Sequence, residues 1–200
     1  MSAFLSFLHR YWLAVAMLCV IGSLALLEPA SGQWLRFDRN AIAAGQWWRL
    51  LTAHWVHLSP VHAASNSAGV LLCAYIAGAD FSRRATLVFL LFSLMFVGLS
   101  LWWLAGDLYY YVGLSGVLHG LLLVSVATSR YYDRRIQWLI ALVIIGKVIW
   151  EQTTFYDDGA LRSLIGGRVE TRAHLAGLIS GLLWLAGRYY LSLRKHAHDG

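Results

Sequence analysis

Three stretches of this chain contain no Asp, Glu, Lys or Arg at all: residues 50–79, 85–106 and 108–129. An α-helix needs roughly 20 apolar residues to cross the hydrocarbon core of a bilayer, and each stretch is long enough. Charged residues make up 13% of the 200-residue chain, about half of what a water-facing domain carries. What remains is gathered at the ends of the apolar runs. A soluble fold is excluded on those grounds.

The runs are continuously apolar and do not alternate with period two, which argues against the strands of a membrane barrel. In lipid a spanning backbone must satisfy its own hydrogen bonds, and a helix does so within one segment. The pattern predicts an all-α membrane protein, a six-transmembrane-helix bundle in a single domain over 1–200. The helices are expected at about 11–28, 60–79, 85–105, 114–130, 135–152 and 171–191. The first lacks a small-residue cleavage site and ends at Glu28-Pro29, so it reads as a retained anchor and not as a signal peptide.

Six crossings put both termini on one side. The short loops 80–84 and 130–135 carry Arg83, Arg84, Arg130, Arg134 and Arg135, and the positive-inside rule is most reliable for short loops. Both termini are therefore expected in the cytoplasm. The net charge of +6 does not imply a nucleic-acid partner, because the basic residues are scattered at helix ends with no continuous basic face. Trp47, Trp48, Trp102, Trp103 and Tyr109 to Tyr111 fit an interfacial aromatic belt. Cys19 and Cys73 fall inside spans and read as small buried apolar residues. Two loops are long enough to have structure of their own: 29–59, rich in Trp, and 152–170, which either connects or caps and gates something.

Strongly hydrogen-bonding side chains inside a span are costly and usually face a polar cavity. The second helix opens with His57-Leu58-Ser59-Pro60-Val61-His62, then Asn66. Ser59 suits the N-cap and Pro60 the first helical position. His62 and Asn66, four apart, share one face, and His57 can fold over it. With His119 or His174 the two histidines offer a zinc-type ligand set, although no HExxH pair or nearby acid accompanies them. The fourth helix begins Gly113-Leu114-Ser115-Gly116, leaving a serine hydroxyl uncovered between glycines. The sixth carries His174, with Ala173, Gly177 and Gly181 in a small-residue stripe. Facing Gly116 and Gly120, that stripe lets two backbones approach closely enough for His174 to serve Ser115 as a base. No carboxylate lies in the fourth or sixth helix at this depth, so a two-residue Ser–His arrangement is expected.

At these residues the sequence resembles the rhomboid family of intramembrane serine proteases. The likeness runs from Trp48-Arg49 through His57, His62 and Asn66, then Gly113-Leu114-Ser115-Gly116, to Ala173-His174-Leu175-Ala176-Gly177. The resemblance implies Ser115 as nucleophile and His174 as base and then acid. It also implies that His62, Asn66 and the Ser115 backbone N–H hold the oxyanion, each such donor contributing ~3 kcal/mol. His57 and His119, with Gly113 and Gly116, would support the site; no cofactor or metal is implied.

Gly113 to Gly120 with His119, together with Lys147 to Gln152, is similar to the rhombosortase branch. That likeness implies cleavage of exported proteins at a C-terminal Gly-Gly sorting signal, ahead of a transmembrane anchor and a basic tail. It places the enzyme in the inner membrane of Gram-negative bacteria, its active site open to the periplasm. The partners are then transmembrane substrates with a C-terminal anchor, and membrane lipid. Alternatives are a general rhomboid protease with other single-span substrates, a non-catalytic binder of transmembrane helices, and a transferase using the same acyl-enzyme. The expected cavity is lined by His57, His62, Ser65, Asn66, Ser115 and His174, with substrate entering beside the fifth helix. His119 is expected to stack on or hydrogen-bond His174, and Lys147 and Glu151, four apart, to pair structurally.

Overall fold

A computed structural model describes residues 2–198; Met1 and residues 199–200, the ends of the expected 1–200 domain, lie outside the described residues. The first helix, α1 (Ser2–Leu26), breaks helical geometry at Tyr11. The loop after it holds α2 (Ala30–Leu35), strand β1 (Phe37–Asp38), α3 (Arg39–Ala43), α4 (Arg49–Thr52) and a 3-10 turn at Ala53–Trp55. The helices α5 (Pro60–Ala77) and α6 (Arg84–Leu104) follow, then strand β2 (Tyr110–Tyr111) and α7 (Ser115–Thr128). The chain ends with α8 (Arg134–Trp150), α9 (Gly159–Ile165) and α10 (Thr171–His198). The last helix runs past the expected end at 191.

Local chemistry sets several of these boundaries. Ser59 caps α5 by accepting from the His62 backbone N–H, with Pro60 at the first position. Asp133 caps α8 by accepting from the N–H groups of Arg135 and Ile136. Helix α5 stops at Ala77 because Gly78 turns to φ +58°, a conformation open mainly to glycine. The long first loop is held by two arginines. Arg39 donates to the carbonyls of Leu101, Trp102, Ala105 and Leu108, satisfying the end of α6. Arg49, buried, donates to Gln46 and to the carbonyls of Gln33 and Arg36. The antiparallel ribbon pairs Phe37 with Tyr111 and Asp38 with Tyr110. It ties this loop to the segment that feeds α7. Two-residue strands are too short to show alternation, so the sequence pattern gave no sign of them.

The closest helix pair is α7 with α10. A β-carbon at Gly177 would overlap the Gly116 carbonyl, and one at Gly120 would meet the Gly177 carbonyl. Small residues thus bring backbone against backbone, as membrane helices do. Behind this pair Ser93 of α6 meets Ser180 of α10 at 2.8 Å between hydroxyl oxygens. The outward faces are apolar: Leu91, Met95, Trp138, Leu139, Leu142 and Val143 are exposed. Exposed apolar surface of this extent suits contact with lipid.

Among the described residues, α6 is the one helix long and apolar enough by itself to cross a membrane, while Arg10–Leu26 and Ser115–Thr128 are apolar but shorter. Two expectations are corrected here. Cys73 is buried but Cys19 is exposed, because α1 turns that side outward. Tyr111, assigned to the interfacial belt, is buried, with its hydroxyl donating to the Gly113 carbonyl at 2.6 Å.

Candidate active site

Ser115 is the first residue of α7. Gly113, just before it, takes φ +116° and is pinned by its N–H to the Ala53 carbonyl at 3.0 Å. A side chain at Gly113 would lie 2.8 Å from His62 Nε2 and 3.8 Å from Asn66 Nδ2. Glycine is therefore required twice, for conformation and for space, and the space it leaves is faced by two nitrogens of α5.

The glycine contacts of α7 and α10 bring His174 Nε2 to 3.0 Å from Ser115 Oγ. His174 is buried, and its Nδ1 lies 2.9 Å from Glu151 Oε2. The other Glu151 oxygen takes the Lys147 ammonium at 2.7 Å. That ammonium also donates to His119 Nε2 at 2.7 Å, and His119 Nδ1 lies 2.7 Å from the Ser115 carbonyl oxygen. The His119 ring stacks on His174, with centroids 4.2 Å apart. Ser115, His174, Glu151, Lys147 and His119 thus form a closed hydrogen-bonded ring that leaves Ser115 by its hydroxyl and returns by its carbonyl.

The partners assign the protons. Lysine only donates, so His119 accepts at Nε2 and carries its proton on Nδ1. A carboxylate only accepts, so His174 carries its proton on Nδ1 and presents a lone pair from Nε2 to the serine. On α5 the Leu58 N–H donates to His62 Nδ1 at 3.3 Å, which puts the His62 proton on Nε2, the atom facing Gly113.

Ser115 and His62 border a cavity of about 490 Å³, walled also by Tyr110, Tyr111, Ile165, Glu170 and Arg172. A smaller apolar groove of about 180 Å³ reaches Ser115 from the other side, between Gly69, Leu72 and Cys73 of α5 and Leu118, His119 and Leu122 of α7. The expected lining is corrected in four places. His57, Asn66 and His174 are buried and do not line this cavity. Ser65 is exposed and its hydroxyl bonds back to the Val61 carbonyl of its own helix at 2.9 Å.

His57 packs edge-on against His62 with ring centroids 5.0 Å apart, and neither of its ring nitrogens meets a hydrogen-bond partner among the described residues. Burial, reinforced by His62, pushes its pKa down to about 3, so it stays neutral. The 152–170 segment closes over this region. The Ser59 hydroxyl donates to the Ile165 carbonyl at 2.7 Å, and Gly166 ends α9 in the left-handed conformation. At the rim Arg172 joins Glu170 and Asp107, the latter at 2.6 Å. That hydrogen bond, first among its causes, holds the Asp107 carboxyl below its ordinary pKa.

The expected Lys147–Glu151 pair is present, but a purely structural role for it is too narrow, since Glu151 also bonds His174. The expected two-residue arrangement lacks this carboxylate because it comes from the end of the fifth helix, α8, and not from the helices that carry the serine and the histidine. A signal was available: an acid at the end of an apolar helix needs partners, and one lysine satisfies only one of its oxygens. His119, Glu151 and His174 also present ligand atoms within 4.8 Å of one another. The Lys147 ammonium bonds two of the three, and so supplies the cation such a group attracts. The ligand set considered from the sequence, which used His57 and His62, does not assemble.

A family model for the Rhomboid domain matches residues 44–190. No curated protein matches the chain. Rhomboid-family proteins are integral membrane proteins and serine intramembrane proteases that act on transmembrane protein substrates, and inactive members occur among them.

Proposed function

The chain belongs to the rhomboid family, and from that premise we propose that it is an active serine endopeptidase, with Ser115 as nucleophile and His174 as general base and then acid. The observation that carries this reading is the 3.0 Å contact between Ser115 Oγ and His174 Nε2, in a ring whose other nitrogen is taken by the Glu151 carboxylate. A serine hydroxyl becomes a useful nucleophile when a base lies within about 2.6–3.2 Å.

In the first step Nε2 takes the hydroxyl proton as Oγ attacks the scissile carbonyl. The carbonyl oxygen then becomes an oxyanion beside Gly113. His62 Nε2–H, Asn66 Nδ2 and the Ser115 backbone N–H are the donors for it. Collapse expels the amine, which takes the proton from His174, and leaves an ester on Ser115. A water then repeats the sequence and frees the serine. His57 props the His62 ring, and as a neutral imidazole it adds no competing charge.

The depth of the serine supports cleavage within the membrane. Helix α7 has 14 residues, about 21 Å at 1.5 Å per residue, against ~30 Å of hydrocarbon. With its far end near the cytoplasmic surface, its first residue lies below the opposite one. The reading includes six crossings, cytoplasmic termini and a cavity open to the periplasm of a bacterial inner membrane. The substrate is a single-span protein whose helix approaches Ser115 along the apolar α5–α7 groove, in place of the expected entry beside the fifth helix, α8, which contributes no residue to that groove. A Gly-Gly site before a C-terminal anchor suits this geometry, because each glycine destabilises a helix by ~1 kcal/mol relative to Ala and so eases unwinding into the cavity.

The test is co-expression with a reporter ending in a Gly-Gly motif, a transmembrane helix and a basic tail, beside Ser115→Ala and His174→Ala. Cleavage by the unaltered protein alone supports both the protease and the Gly-Gly specificity. Cleavage of other single-span proteins but not this reporter removes the specificity and leaves the protease. No cleavage, with Ser115 inert to a fluorophosphonate, points instead to a non-catalytic helix binder.

A further inference from the structure

Resting on the Ser115–His174 reading, we propose that Glu151 is a positioning residue for His174, and that Lys147 sets which way Glu151 can act. Glu151 is buried, with its side chain 2% exposed. Removing a carboxylate from water costs several kcal/mol unless its oxygens are well partnered. Both are: Oε1 by the Lys147 ammonium and Oε2 by His174 Nδ1. The second contact holds the imidazole in the tautomer whose free Nε2 lone pair faces Ser115. It also places a negative charge beside the ring when that ring takes the serine proton. The same job is done by the acid in serine proteases on unrelated folds. Here the acid comes from the end of α8, outside the two helices that carry serine and base.

Lys147 makes the idea sharply testable. Its ammonium donates and never accepts, so whatever stands at 151 must turn an acceptor toward it. In Glu151→Gln the amide oxygen turns to Lys147 and the NH2 group is left facing His174 Nδ1. That arrangement draws the proton to Nε2, aimed at the serine, and the base is lost. In Glu151→Gln with Lys147→Met the amide is free to turn over and accept from Nδ1–H, so the working tautomer returns without the charge. A merely structural carboxylate predicts the opposite ranking, because the double variant removes more contacts than the single one.

The measurement is the rate at which Ser115 takes a fluorophosphonate, in purified protein in detergent micelles, with melting temperatures taken alongside. Turnover of a single-span reporter gives the split between kcat and KM. For Glu151→Gln the maximal labelling rate and kcat should fall ~10³-fold, in line with a misdirected tautomer. The half-saturating probe concentration and KM should stay within about twofold. Lys147→Met alone should cost less than ~10-fold, and the double variant should recover at least ~10-fold over Glu151→Gln despite a melting temperature no higher. Glu151→Gln labelling within about threefold of the unaltered protein would overturn the inference, as would a double variant no faster than the single one. If Ser115→Ala still cleaves the reporter, or the unaltered protein takes no label, the Ser115–His174 reading itself fails and this inference falls with it. Activity lost in Ser115→Ala and His174→Ala but kept in Glu151→Gln removes the inference alone.

Discussion

The two sides of Ser115 are built on opposite terms. On the His174 side every polar group is taken: each nitrogen of His174 and His119, each oxygen of Glu151, and the Ser115 carbonyl has a partner in the ring. On the α5 side donors are left over. Among the described residues, His62 Nε2 faces the space at Gly113 without a partner, Asn66 uses Nδ2 on the His62 carbonyl at a long 3.3 Å, and both nitrogens of His57 are unpaired. The difference teaches where orientation is needed and where capacity is needed. A base must be fixed in tautomer and direction before substrate arrives, whereas donors for an oxyanion contribute most when nothing in the resting protein uses them.

The largest test of that contrast removes the base side outright. Ser115→Ala and His174→Ala should each lower kcat by at least ~10³-fold with KM little changed, since the residues act as a unit; a reporter-cleavage assay in micelles reads this. Closing the steric gap should come next. Gly177→Ala drives a methyl into the Gly116 carbonyl and must push α7 from α10, costing upwards of ~3 kcal/mol. Thermal unfolding should show a clear drop, and a melting point within a degree of the parent would mean the helices part freely.

The α5 side should respond more mildly. Asn66→Ala and His62→Ala are each expected to lose ~10²-fold in kcat, with fluorophosphonate binding weakened in proportion, because the probe's oxygen occupies the same space. Equal loss from base-side and α5-side substitutions would erase the distinction drawn here. His119→Phe keeps the stack on His174 but drops the bonds to Lys147 and the Ser115 carbonyl, so about a tenfold loss is expected; complete loss with Ser115 still labelled would falsify the supporting role.

The smallest effect concerns the rim. The Asp107 carboxyl is held below its ordinary range by Arg172. Its contribution is therefore present above the usual carboxylate pKa and is lost as pH falls through the lowered value. Asp107→Asn should leave activity at neutral pH unchanged and flatten a small decline in melting temperature on acidification. The pair is solvent-exposed and the effect modest.

Much of this arrangement was legible in the residues themselves. Charge-free runs located the helices, Ser59-Pro60 marked the start of α5, and glycines at four-residue spacing foretold that α7 and α10 would touch. Ser115, His62, Asn66 and His174 stood out as polar groups where polarity is costly. What was not legible depended on how one helix is rolled against another. Glu151 reaches His174 only because α8 turns that edge toward α10, and no spacing within α8 reports it. Ser65 was misplaced because a helical face is about 100° wide, and a serine one residue from Asn66 can satisfy itself on its own helix instead. The β1–β2 ribbon and the four-carbonyl grip of Arg39 join segments more than sixty residues apart, beyond the reach of any local pattern.

The closed ring has a consequence for isotope exchange. Every proton in it runs in a fixed sense, from hydroxyl to imidazole, from imidazole to carboxylate, from ammonium to carboxylate and to the second imidazole, and from there to the Ser115 carbonyl. Neither imidazole Nδ1 can swap its proton for a deuteron from solvent while both neighbours hold their places, because that proton has one acceptor and it is already engaged. The two imidazole Nδ1 protons should therefore exchange at one common rate, set by opening of the ring as a whole and not by the exposure of either histidine. In a proton NMR spectrum they should fade together.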